Sequence, residues 1–213
     1  SSNTTVKTAA ANTLRDVSTD KNLSDLFTLL EREDVTYVPT IQQAINAALS
    51  YLPAEKQLPL VTERMKNSPN KHLYYTALAN NESRQAMDII TNAYATATGA
   101  EKEAAFDALT HWKFFHIIYP LLDIARDSKD KRELEKVTDA LVSVIRNSGQ
   151  TGAVKYLYLR ETMQFAQTDK QKKDILRLIG NTGQYQALLF VAPYMDESTL
   201  KETAAVAAMN IAI

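Results

Sequence analysis

"DILRLIGNTGQYQALLFVAPYMDES", residues 174–198, decides the fold. An apolar helical run ends at Ile179, a polar turn with two glycines follows, and a second apolar run begins at Ala187. The phrase recurs in weaker form as "DALTHWKFFHIIYPLLDIARDS" (107–128), "ALVSVIRNSGQTGAVKYLYLRETM" (140–163) and "TALANNESRQAMDIITNAY" (76–94). A period of roughly three dozen residues is the signature of stacked helical hairpins, units that cannot bury an apolar face alone.

Working outward, hairpin turns fall near Leu49, Leu78, Leu109, Ile145 and Ile179, which lie 29, 31, 36 and 34 residues apart. Second helices are then expected over 54–66, 82–97, 114–127, 150–166 and 184–195. Apolar residues recur at helical spacing in Ile41, Ile45, Ala48 and Leu49, and in Leu134, Val137, Leu141, Val144 and Ile145. The five glycines, Gly99, Gly149, Gly152, Gly180 and Gly183, all sit between such runs, as expected of turns. Strand signals are nearly absent; "VTYV" (35–38) is the one short candidate. Pro59, Pro120 and Pro193 fall in second helices, where each is expected to kink its helix or lie near its start. The charged connectors "RDSKDKRELEK" and "QTDKQKKD" read as solvated helix starts and loops.

Composition limits the function classes. Of 213 residues, 24 are Lys or Arg and 25 Asp or Glu, a net charge of −1 that gives no general attraction for phosphate backbones. No cysteine is present, so disulfides and thiolate chemistry are excluded. No run approaches the roughly 18 apolar residues of a membrane span. The small polar start, "SSNTTVKTAAANTL", reads as what remains after a signal peptide is cut off, and the apolar end, "AAVAAMNIAI", leads to the expectation of a further domain.

"QALLFVAPYMDESTLKETAAVAAMNIA" (186–212) resembles a HEAT-type repeat through Leu189, Pro193, Asp196, Ala205, Ala208 and Ile211. Similar phrases carry Pro59, Asn67, Ala77 and Leu78, and Pro120, Asp127, Ala140 and Leu141. The Val–Arg pair that often follows the turn Asp is missing. The resemblance implies an all-α, right-handed α-α superhelix of five to six hairpins. Residues 1–213 would form one α-solenoid domain, with 1–19 a poorly defined N-terminal segment. The texture also resembles the helical-repeat region of secreted Bacteroidetes-type proteins that precede a 3-keto-disaccharide hydrolase domain. That implies a periplasmic or secreted protein, with a cytoplasmic one as the alternative.

Candidate chemistry is sparse. His111 and His116 are five apart and expected on different helices, and His72 stands alone; three histidines so placed read as turn and core residues rather than metal ligands. Trp112, Phe114, Phe115 and Tyr119 form the densest aromatic cluster, a stacking surface or a core. Asp123, Arg126 and Asp127 read as a surface ion pair and a loop cap; Glu31, Glu33 and Asp34 cluster at a helix end. Asn3, Asn22 and Asn81 match glycosylation acceptors. No phosphate loop, dinucleotide fingerprint or serine elbow is present.

Tyr156, Tyr158, Tyr185 and Tyr194 lie on successive second helices with Lys155, Arg160 and Glu161. In HEAT-like stacks such helices line the concave face. The expectation is a non-catalytic scaffold without cofactor or metal. It would bind a protein or carbohydrate partner through Trp112, Tyr156, Tyr158, Arg160, Tyr185 and Tyr194. The alternatives are a purely structural spacer and a HEAT-like DNA glycosylase. The latter would require a strongly basic concave face, against which the neutral charge and single Trp argue.

Overall fold

The computed structural model describes residues 10, 13–32, 36–81 and 83–212. Among these residues every regular element is helical and none is a strand. The chain divides into two compact units, residues 1–111 and 112–213. The division falls between His111 and Trp112, in a turn expected to join two helices of one hairpin.

In the first unit a helical segment (13–17) and a 3-10 turn (Asp20–Asn22) lead into α1 (Leu23–Arg32) and α2 (Val38–Leu49). Then come α3 (Ala54–Lys66), a 3-10 turn (Lys71–Tyr74) running into the short α4 (Tyr75–Ala79), α5 (Arg84–Thr96) and α6 (Gly99–Thr110). α1 packs on α2, α4 on both α5 and α6, and α5 on α6. Leu26, Phe27 and Leu30 of α1 are buried, as are Ile41, Ile45 and Ala48 of α2. These are the apolar stripes of two amphipathic helices. Tyr74 sits at the centre, its ring 5.6 Å from Phe27. Its hydroxyl donates to Glu31, which Arg64 approaches at 4.0 Å.

The second unit opens with a 3-10 turn (Phe115–Ile117) that runs into α7 (Ile118–Asp127). It continues with α8 (Lys131–Asn147), α9 (Gly152–Thr162) and α10 (Asp169–Gly180), and ends with the short α11 (Ala187–Val191) and α12 (Lys201–Ala212). Further 3-10 turns extend α9 (Met163–Phe165) and α11 (Ala192–Met195). Packing follows chain order: α7 on α8, α8 on α9, α9 on α10, and α10 and α11 on α12. α10 also packs on α8, so α8, α10 and α12 succeed one another along one row. Val137, Leu141, Val144 and Ile145 of α8 and Ile175, Leu176 and Ile179 of α10 fill the core between them.

All five expected turns are helix ends, at Leu49, Ala79, Thr110, Asn147 and Gly180. Pro120 is the third residue of α7, Pro193 is the second residue of the 3-10 turn that extends α11, and Pro59 lies inside α3. Of the strand candidate, Thr36 and Tyr37 form a turn and Val38 begins α2, while Val35 lies outside the described residues.

Two glycines act by size. A Cβ on Gly180 would stand 2.9 Å from the Ala207 Cα, so this glycine lets α10 approach α12 closely. A Cβ on Gly152, the first residue of α9, would overlap the Thr182 carbonyl oxygen. Gly183, in the turn after α10, has φ +65°, a conformation that glycine adopts without strain. The connector "QTDKQKKD" holds a core residue, Gln171. Its Nε2 donates to the Glu135 carbonyl and to Asp139 Oδ1, each at 2.8 Å, and its Oε1 accepts from the Gln167 N–H at 2.9 Å.

Candidate functional site

α7, α9 and α11 with their 3-10 extensions are the second helices of the sequence pattern, and ring contacts join them in order. Residues two apart on a helix point about 200° apart, so Tyr156 and Tyr158 leave α9 on opposite flanks. Tyr158 meets α7: its ring is edge-on to Phe115 (5.6 Å) and Tyr119 (6.2 Å), and its hydroxyl donates to the Tyr119 hydroxyl at 3.0 Å. Tyr156 meets α11, edge-on to Phe190 at 6.3 Å, and Phe190 in turn lies 5.6 Å from Tyr194.

Between those flanks, α9 and its extension expose a stripe at helical spacing: Ala153, Leu157, Arg160 and Gln164. The Arg160 guanidinium lies 5.9 Å from the centre of the Tyr156 ring, a cation–π geometry, and meets no carboxylate among the described residues. On the α7 side Arg126 bonds both Asp123 (2.9 Å) and Glu161, so two carboxylates share one guanidinium. This is the surface ion pair that the spacing of Asp123 and Arg126 implied, with Glu161 added from the next second helix.

The hydrogen bond to Tyr119, with burial second, pushes the Tyr158 phenol up to about 12. Burial, then the Glu197 charge, also raises that of Tyr194. Both phenols are therefore neutral at physiological pH, and offer hydrogen-bonding hydroxyls and ring surface rather than bases.

Of the six residues expected to bind, Trp112 and Tyr156 are interior, 2% and 5% exposed. Trp112 packs edge-on to His116 at 5.9 Å, and Tyr156 serves as the platform for Arg160. Tyr158 and Tyr194 are half-buried, whereas Arg160 is exposed and Tyr185 is 70% exposed. The outward apolar surface also includes Leu157 (55%) and Leu189 (84%), which tyrosine counting overlooked, and Tyr119 (63%) of the aromatic cluster. For Leu157 the available signal was its helical register with Arg160.

The remaining candidates serve the fold. His111 caps α6, its Nδ1 lying 2.7 Å from the Asp107 carbonyl oxygen, and His116 stacks on Phe114. Asn22 closes a capping box with Thr19, and the Asn81 side chain accepts from the Ser83 N–H. Asn3, Glu33 and Asp34 lie outside the described residues. Among the described residues no cluster of three His, Cys, Asp or Glu could hold a metal ion, and no helix is long and apolar enough to cross a membrane. Comparison with protein-family models, curated proteins and solved structures gave no match.

Proposed function

We propose that this chain is a non-catalytic helical-repeat module, HEAT-like in its hairpin succession, that binds a protein or glycan partner on the face formed by α7, α9 and α11. One observation carries the reading: Tyr119, Leu157 and Leu189, on helices joined by ring contacts, and Tyr185, which stands in the turn before α11 rather than on the second helix expected from residue 184, turn large apolar side chains to solvent. In this reading the four form one contiguous apolar patch, the kind of surface that marks an interaction site. The rings beneath them fix the helices that carry them, which lowers the entropy lost on binding. In a solenoid these helices would line the concave side. A periplasmic or secreted location goes with the resemblance to the helical-repeat regions of secreted proteins.

The test is capture by the immobilised chain from cell-envelope and cytosolic extracts, with wild type beside a Tyr185→Ser/Leu189→Ser variant. Both side chains are exposed, so the variant should melt within a few degrees of wild type. A partner retained by wild type and lost by the variant supports the reading. Identical captures overturn it in favour of the spacer.

A further inference from the structure

The charges on this face define its occupant more narrowly. Resting on the reading that the face binds a partner, we infer that the occupant is an apolar peptide segment of another protein. Its carboxylate would meet Arg160, and a basic side chain would meet the Asp123–Arg126–Glu161 cluster.

Three observations lead there. First, aliphatic side chains are exposed on these helices: Leu157, one turn from Arg160 on α9, and Leu189 on α11. Aliphatic side chains gain by covering other apolar side chains and offer nothing to sugar hydroxyls. Phe115, Tyr119, Tyr156, Tyr158 and Phe190 are engaged edge to face, at interplanar angles of 76°, 82° and 77°, which leaves Tyr185 as the exposed ring outside these contacts. A glycan is therefore the poorer fit.

Second, Arg160 lies over the Tyr156 ring and meets no carboxylate among the described residues. A guanidinium so held presents donors in a fixed fork that matches a carboxylate. Third, the opposite flank has the reverse imbalance. Asp123 and Glu161 share Arg126, which leaves one negative charge over, and the Asp123 side chain is 68% exposed. Positive on the α11 side and negative on the α7 side, the patch selects a peptide of matching polarity in one orientation.

The experiment is selection of a phage-displayed library of random 12-residue peptides on the full chain, followed by fluorescence anisotropy with synthetic copies of the enriched peptides. Enriched peptides should combine at least two large apolar residues with one acidic and one basic residue. Arg160→Glu, a substitution at an exposed position, should weaken binding by about tenfold or more. Replacing the peptide's acidic residue by Lys should restore most of the loss against that variant and weaken binding to wild type. Enriched peptides without an acidic residue, or bound equally by Arg160→Glu, overturn the inference. So does failure to enrich any peptide. If in that case a glycan array binds wild type but not Leu189→Asp, the binding face stands and only its occupant is wrong. If the array is also silent, both readings fall.

Discussion

A methyl group added at position 152 has no room, because it would overlap the Thr182 carbonyl oxygen, a backbone atom that cannot swing aside. Gly152→Ala should cost about 2 kcal/mol, within the range of overpacking, and show as a lowered denaturant midpoint. Gly149→Ala meets open space and serves as the control. Gln171→Leu removes the acceptor of the Gln167 N–H and should cost about 1–2 kcal/mol by the same measurement. Tyr74 makes a pH prediction. Burial, then its hydrogen bond to Glu31, pushes its phenol up to about 12 from an ordinary 10, against the opposing effect of Arg64. The folded state therefore keeps the proton longer than the unfolded state. The stability it contributes is complete below pH 10 and is lost as pH rises through 12. Tyr74→Phe should flatten that alkaline loss in thermal melts taken between about pH 9 and 12. An unchanged slope would mean that Tyr74 does not hold its proton in the fold.

At the scale of elements, helix starts are set by caps that can be read from sequence and tested singly. Asp130 accepts from the Arg132 and Glu133 N–H groups at 2.7 and 3.2 Å, and Thr168 caps α10 through the Gln171 N–H. Asp130→Ala should cost about 1 kcal/mol, with Asp130→Asn losing much less; equal losses would point to charge rather than capping. Turn positions were legible because Gly, Asn and Ser end helices by local chemistry, which needs no tertiary contact. The succession of apolar runs was legible for the same reason, since the helical period is internal to each helix. Burial on the second helices was not. Tyr156 and Tyr158 are alike in sequence, and only the placement of Phe190 on one flank and of Phe115 and Tyr119 on the other decides which ring is covered. Trp112 follows a helix end, where no periodicity reports whether a side chain turns inward. Gln171 looks like one more polar residue in a charged run, yet its partners lie more than 30 residues earlier on α8. The size constraint on Gly152 and Gly180 is equally tertiary, because glycine in a turn reads as conformational freedom until a neighbouring backbone is seen.

At the scale of the molecule, the boundary at His111/Trp112 has a consequence for folding. Residues 118–212 contain helices that each pack on the next in chain order, with Leu121, Leu141, Ile145, Ile175, Ile179 and Ala207 buried along the way. Such nearest-neighbour packing makes stability roughly a sum over adjacent elements, so a contiguous set can fold without the rest. A fragment of residues 112–213 should therefore give a helical circular-dichroism spectrum with a cooperative thermal transition. Gly152→Ala should lower that transition as it lowers stability in the full chain, because Thr182, the group it strikes, lies in the same fragment. The fragment also contains Tyr119, Leu157, Arg160, Tyr185 and Leu189, so a partner that uses this face should bind it as tightly as the full chain. A fragment that is unfolded, or that melts without cooperativity, would show that the core of the second unit is completed by residues before Trp112. A folded fragment that fails to bind would place part of the binding surface there instead.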